Sequence, residues 1–432
     1  MGGIIAGRTK ARRRRSFRSG PGPRRLEPLP GRRREPSTWY LGLVTSPGLV
    51  GALGVTLAGR KIVYLVSEDW YFCSHRLALG IAAKKAGADV VVATQINEHR
   101  AEIEAAGLRV APITMQRSGH NPIADLATIQ QITQLYRREK PDLVHHVALK
   151  PILYGGIAAK RAGVPAVVNA VAGMGFMFIS ESLFARMARP FIVRAQSALM
   201  NRRNTRTILQ NPDDEALYTE TFGVARERIT IIPGAGVDID EFSVTPEPDG
   251  TPIAVCVSRM LRDKGIHELV SAARQLREKD VGLVVRLLGP TDDNPASIPK
   301  ATLEAWSRDG IVEVVGPSND IAGEYARAHI AVLPSYREGL PKSLIEAASC
   351  GRPIVATDVP GCREVCIEGE TGYRVPARTV EPLANALERL AVDPALRQRL
   401  GANARRHAET VFAADIINAQ TISAYEELLA GL

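Results

Sequence analysis

The sequence predicts an α/β protein built from two doubly wound parallel sheets, one following the other along the chain. Three observations carry this. Short apolar runs alternate with helical stretches, and Gly recurs where those stretches stop. This is the rhythm of strand–helix–strand units in sheets covered on both faces. The rhythm breaks at Pro233-Gly-Ala-Gly-Val-Asp238 and restarts at Thr251, and Gly and Pro at that density mark a hinge or boundary. At 432 residues the chain also exceeds what one hydrophobic core usually serves. The expected units are an extension over 1–59, a first domain over 60–235, a second over 236–412 and a closing helix over 413–432.

Within the first domain, strands are expected at Lys61–Val66, Asp89–Ala93, Arg109–Ile113, Pro141–His145, Pro165–Val171, Thr207–Gln210 and Ile229–Ile232. Helices fall between them at Arg76–Ala86, Glu98–Ala106, Asp125–Glu139, Tyr154–Ala162, Ser182–Arg203 and Asp213–Phe222. The second domain repeats the pattern. Strands are expected at Pro252–Val257, Gly282–Leu288, Val312–Val315, His329–Leu333, Pro353–Ala356 and Gly372–Val375. Its helices are expected at Gly265–Glu278, Thr302–Asp309 and Ile321–Ala328, with closing helices at Val380–Val392, Pro394–Glu409 and Ala413–Leu429.

The net charge of +9 is unevenly spread. Residues 1–59 hold eleven Arg and one Lys against Glu27 and Glu35, a net +10, so residues 60–432 are near −1. The folded part is close to neutral, so the high pI does not argue for nucleic-acid binding, and no nucleic-acid partner is expected. Residues 1–37, rich in Arg, Pro and Gly, cannot bury a core and are expected to be disordered. Tyr40–Gly59 is mildly apolar but carries several Gly and a Pro, too weak for a membrane span. An over-extended translation start is the favoured reading of 1–59, with a weak membrane anchor second. Cys73, Cys256, Cys350, Cys362 and Cys366 are odd in number and scattered, as expected for free thiols in a reducing compartment.

The most informative stretch is Pro334-Ser-Tyr-Arg-Glu338-Gly339-Leu340-Pro341-Lys342-Ser343-Leu-Ile-Glu346. It follows an apolar strand and opens a helix. Unpaired backbone N–H groups and the positive dipole end make such a start an anion site, and a carboxylate on the helix beyond can accept bonds from hydroxyls. Phosphate and polyol in one place point to a sugar nucleotide. The alternative is a capped surface helix with solvated carboxylates. Open parallel sheets bind ligands beyond the carboxyl ends of their strands. By that rule, Arg259 and Lys264, in Ser258-Arg259-Met-Leu-Arg-Asp-Lys264-Gly265, face the same cleft. Two cations and a helix start suit a diphosphate.

This arrangement resembles the E-x7-E signature of the family-four retaining glycosyltransferases of GT-B fold, in which two Rossmann-like domains face across a cleft. Glu338 and Glu346 match its two ends, Glu338-Gly339-Leu340-Pro341 its core, and Arg259-x4-Lys264-Gly265 its basic loop. The resemblance covers roughly 61–425. It implies that Glu346 binds the ribose hydroxyls and that Glu338 holds a hydroxyl of the transferred sugar. The loop of Gly339, Leu340, Pro341, Lys342 and Ser343 would line the donor, and Arg259 and Lys264 would stabilise the departing diphosphate. No D-x-D metal motif stands out. Asp238-Ile-Asp240 lies in the hinge and Asp292-Asp293 is a lone pair, so neither cofactor nor divalent metal is expected.

The first domain is expected to hold the acceptor. Trp70 and His75 resemble the first loop and helix of a polysaccharide- and lipopolysaccharide-assembly branch of this family. His145, His146, Lys150, Gly173 and Gly175 resemble its later loops. A His at the strand end would stand near the sugar; adjacent His point to opposite faces of a strand, so at most one can do so. The Arg-bearing helix 182–203 reads as a seat on an anionic membrane surface or as a core helix with a solvated basic side. The resulting expectation is a cytoplasmic enzyme, peripheral on the inner face of the plasma membrane. It moves a sugar from a nucleotide-diphosphate donor, UDP-linked, to a lipid-linked glycan. The alternatives are a nucleotide-sugar epimerase of the same layout and a non-catalytic sugar-nucleotide-binding protein. A nicotinamide dehydrogenase is disfavoured, since no G-x-G-x-x-G follows the first strand.

Overall fold

The computed structural model describes residues 57–115, 122–172, 183–291 and 294–432. The expectations placed on residues 1–56, on Gly173 and Gly175, and on Asp292-Asp293 lie outside the described residues.

In the first half, β1 (Lys61–Glu68), β2 (Asp89–Gln95), β3 (Arg109–Pro112), β4 (Leu143–Val147), β5 (Ala166–Ala170), β6 (Thr205–Leu209) and β7 (Ile229–Ile231) form one seven-stranded sheet in the order β3-β2-β1-β4-β5-β6-β7. Every pairing in it is parallel. The connecting helices are α1 (Asp69–Lys85), α2 (Arg100–Ala105), α3 (Pro122–Glu139), α4 (Leu149–Ala162), α5 (Leu183–Met200) and α6 (Pro212–Glu220).

The second half repeats the winding with β8 (Ile253–Val257), β9 (Val284–Leu288), β10 (Glu313–Gly316), β11 (Ile330–Leu333), β12 (Ile354–Thr357) and β13 (Gly372–Val375). Their order is β10-β9-β8-β11-β12-β13, again with parallel pairings. Its helices are α7 (Ile266–Glu278), α8 (Lys300–Arg308), α9 (Ile321–Ala326), α10 (Lys342–Ser349), α11 (Cys362–Val365), α12 (Glu381–Val392), α13 (Pro394–His407) and α14 (Ala414–Ala430). In each sheet the strand order reverses between its first and fourth strands, β1 and β4 or β8 and β11. Those are the switch points at which open sheets take ligands.

Strand alternation divides the first half's core between two faces. Ile62, Tyr64 and Val66 of β1 pack with Phe72 and Leu79 of α1. Val63 and Leu65 pack on the other face with Ile132 and Tyr136 of α3 and Ala158 of α4. The closing helix α14 returns to this half, adding Ile417, Tyr425 and Leu428 to the α1 face. The crossing is pinned at the hinge, where the Val237 N–H donates to the Phe412 carbonyl (2.8 Å) and the Ala414 N–H donates to the Val237 carbonyl (2.9 Å). A single large core, from Val255 and Leu288 to Leu387 and Phe412, serves the second half.

Two boundaries differ from expectation in ways that bear on the site. Helix α1 starts at Asp69, seven positions before the expected Arg76. The buried Asp69 carboxylate accepts the backbone N–H groups of Trp70 (2.8 Å), Asn97 (2.7 Å) and His99 (3.0 Å), and so fixes the turn out of β1. Strand β4 runs to Val147 rather than ending at His145. Both histidines therefore sit inside the sheet.

Candidate active site

The second half's site forms where β8 and β11 end. After β8 the chain runs through Ser258 and Arg259 into a single 3-10 turn, Arg262–Lys264, and then α7. Gly265 has φ +69°, and a Cβ there would meet the Pro334 carbonyl oxygen at 2.1 Å. Glycine is thus what lets this loop lie directly on the exit of β11. The Tyr336 N–H donates to the Asp263 carbonyl (2.9 Å) and ties the two loops together.

That seating delivers Lys264 to Glu338. The ammonium lies 2.5 Å from Glu338 Oε1, with both side chains largely buried. Burial works against the Lys264 charge, but Glu338 outweighs it and holds the ammonium pKa above its usual value. Arg259 is half-buried, and its charge is felt at Lys264.

Pro341 is the N-cap of α10, with extended ψ, and the helix proper begins at Lys342. Pro341 thus stands one position before the first helical residue. The amides of Lys342 and Ser343, first in the helix, have no intrahelical acceptor. The Ser343 carbonyl accepts from the Tyr325 hydroxyl (2.6 Å), which fixes the first turn. Glu346 is buried on the same helix, 3.0 Å from Lys342 Nζ. Burial raises its pKa while Lys342 opposes the rise.

Across from this loop stands α1. His75 stacks on Tyr71 with ring centroids 4.2 Å apart. Burial pushes its pKa down to about 3, helped by the charges of Lys342 and Arg76. The first helix of one half thus faces the loop that opens α10 of the other. Trp70 lies in the first turn of α1, and Lys150 in the first turn of α4, beyond the end of β4; both are half-buried.

The two histidines of β4 do not match the expectation. His145 and His146 are both fully buried, on opposite faces of a sheet covered by helices on each side. His145 Nδ1 is bonded to the Tyr425 hydroxyl of α14. His146 is held between Asn169 (3.0 Å) and the Tyr136 hydroxyl (3.1 Å). Burial pushes the pKa of His145 far down and that of His146 to about 4. Both lie in the last three residues of β4, but both side chains are packed inside the first half and neither is open to a cleft.

Asp238-Ile-Asp240 forms a turn: the Asp238 carboxylate accepts the N–H groups of Asp240 (3.0 Å) and Glu241 (3.1 Å). Among the described residues, no group of three or more His, Cys, Asp or Glu is arranged to hold a metal ion. The four thiols at 256, 350, 362 and 366 are free and buried.

Sequence reasoning missed one contributor. The turn from β6 into α6 carries Gln210 and Asn211, and the first turn of α6 carries Asp214; Asn211 and Asp214 reach the loop around Gly339. The rule that selects Arg259, the carboxyl end of a parallel strand, also selects this turn. Asn211-Pro212-Asp213-Asp214 instead reads as an ordinary capped helix start.

Two doubly wound sheets, with a basic loop and an acidic helix start meeting at the second sheet's switch point, define the GT-B class. The chain matches the model of the glycosyl transferases group 1 over residues 238–407 and that of the glycosyl transferase 4-like domain over 61–209. It is 27% identical over 346 residues to the N,N'-diacetylbacillosaminyl-diphospho-undecaprenol alpha-1,3-N-acetylgalactosaminyltransferase of Campylobacter jejuni. That match covers 77% of this chain and 90% of the relative. It is 24% identical to the capsular polysaccharide biosynthesis glycosyltransferase CapM of Staphylococcus aureus, over 71% of this chain and 82% of the relative. Among solved structures, the sucrose-phosphate synthase of Thermosynechococcus elongatus superposes with a TM-score of 0.72 at 22% identity, covering 86% of this chain and all of that one. HepE of Anabaena, in complex with UDP-glucose, superposes with a TM-score of 0.68 at 20% identity, covering 84% and 98%. The chain belongs to the group 1 glycosyltransferases.

Proposed function

We propose that this glycosyltransferase moves a sugar, with retention of configuration, from a UDP-linked donor to a lipid-linked glycan in surface-polysaccharide assembly. The observation that carries the donor side is the meeting of Lys264 with Glu338 beside the open amides of α10. The donor's diphosphate lies against those amides, with Arg259 and Lys264 taking up the charge that grows on the departing group. Glu346 accepts from the ribose hydroxyls. Glu338 accepts from a hydroxyl of the transferred sugar, and Gly339, Leu340 and Pro341 line that edge. With two cations on the leaving group, the reading expects turnover without divalent metal.

Two relatives support the acceptor and donor classes: one is named for a diphospho-undecaprenol substrate, and another was solved with UDP-glucose. On the first domain, Trp70, His75 and Lys150 are the described candidates for acceptor contacts. Attachment to the inner face of the plasma membrane is supported by apolar side chains left exposed on the first half, Phe191 of α5 and Ile123 and Leu126 of α3. Among the described residues, no helix is long and apolar enough to cross a membrane.

The test is turnover of UDP-sugars on diphosphate-lipid-linked acceptors, with the anomeric configuration of the product read by NMR. Retention with full rate in chelator supports the proposal. An inverted product, or activity lost in chelator and restored by Mn²⁺, contradicts it.

A further inference from the structure

The turn between β6 and α6 belongs to the first half, yet its side chains grip the loop that carries Glu338. Asn211 is fully buried. Its side-chain oxygen caps α6 by accepting the Asp214 N–H (2.8 Å). Its amide nitrogen donates to Asp214 Oδ2 (3.0 Å) and, across the gap between the halves, to the Gly339 carbonyl (2.7 Å). Asp214, also buried, accepts through Oδ1 from Arg337 Nη2 (2.7 Å). Arg337 and Gly339 are the two neighbours of Glu338. The approach is close: a Cβ on Gly339 would lie 2.6 Å from Gln210 Oε1 and 3.3 Å from the Ala172 carbonyl. The loop is thus held on one side by Lys264 of its own half and on the other by Asn211 and Asp214 of the opposite half.

We propose that Asn211 and Asp214 are positioning residues for transfer, acting through Glu338. When the halves close, Asn211 holds the Gly339 carbonyl and Asp214 holds Arg337, so the Glu338 carboxylate between them is oriented toward the sugar. This rests on the donor-site reading above. It adds that the acceptor half completes the donor loop, so that closure and orientation are one event. A group displaced by about an ångström from its productive geometry costs orders of magnitude in rate, whereas a pyrophosphate gripped by the second half alone is bound whether or not the loop is aligned.

The experiment uses Asn211→Asp, which keeps the oxygen that caps α6 and loses the amide that reaches Gly339. Asp214→Asn, which keeps size but removes the charge facing Arg337, is the second variant. Nucleoside-diphosphate binding is measured with UDP, GDP and ADP, and turnover by release of the nucleoside diphosphate from the matching sugar donor. The inference expects at least a tenfold fall in kcat in both variants, with nucleoside-diphosphate Kd close to wild type; Tm falls in Asn211→Asp, which sets a second carboxylate beside Asp214 Oδ2, and falls less in Asp214→Asn. It also expects faster hydrogen exchange over residues 336–341 but not over α6. Wild-type kcat in both variants, or equal losses of Kd and kcat, overturns it. A wild-type chain that binds none of the three nucleotides sinks the donor-site reading, and this inference with it.

Discussion

Lys264 and Glu338 form the pair on which the site turns. Both are largely withdrawn from water, so removing one partner leaves the other charge poorly compensated. Lys264→Ala is therefore expected to slow transfer and also to lower Tm, and Arg259→Ala to slow transfer. A parallel thermal melt and rate assay checks both. Glu364, on α11, is a second instructive residue. It is buried, one of its carboxylate oxygens has no hydrogen-bond partner, and burial pushes its pKa up to about 7. The sign follows from proton counts. Between about pH 4.5 and 7 the unfolded chain has released this proton and the folded chain still holds it, so stability contributed here is present at low pH and falls as pH rises through that window. Glu364→Gln should accordingly raise stability at pH 8, by on the order of 1–3 kcal/mol, and change it little at pH 5. Denaturant melts at the two pH values measure this, and an equal effect at both contradicts it.

At the scale of elements, what the sequence discloses depends on where its signal comes from. Apolar alternation and Gly stops were legible: β13 is found at its expected bounds, and α7, α12 and α14 within a residue or so. That the loops of Lys264 and Glu338 meet was readable, because both lie at carboxyl ends of strands that flank a switch point; the ion pair between the two side chains was not. Two further features were not legible. Asp69 starts α1 early by accepting N–H groups from Asn97 and His99, far along the chain, and no local pattern announces such bonds. His145 and His146 look like a polar strand end, but their partners Tyr425, Tyr136 and Asn169 come from three other elements that bury them in place. Gly265 gives this scale its prediction. An added methyl meets the Pro334 carbonyl in a left-handed backbone, so Gly265→Ala should cost ~2 kcal/mol or more. It should also separate Lys264 from Glu338. A lower midpoint in a thermal melt, together with lost turnover, is the expected result.

Over the whole molecule, the chain is two similar windings tied by a double crossing, with its last helix packed on its first domain. Removing residues 414–432 takes Ile417, Tyr425 and Leu428 out of the first half's core, each side chain being worth about 1.5–3 kcal/mol of burial. That loss is comparable with the whole stability of an ordinary domain. The truncated chain is therefore expected to lose protease resistance in the first half while the second half, with its own core, retains it. Fragment mapping after limited proteolysis reads this directly.

The account depends most on a nucleoside diphosphate being held at α10, its diphosphate against the first amides and its ribose on Glu346, and calorimetric titration of UDP into the wild-type chain and into Glu346→Ala tests that directly. The expected result is saturable wild-type binding in chelator, weakened roughly 10- to 100-fold by the substitution, as befits loss of hydrogen bonds to a charged acceptor. Equal affinity in the two proteins would contradict the assignment of the donor site.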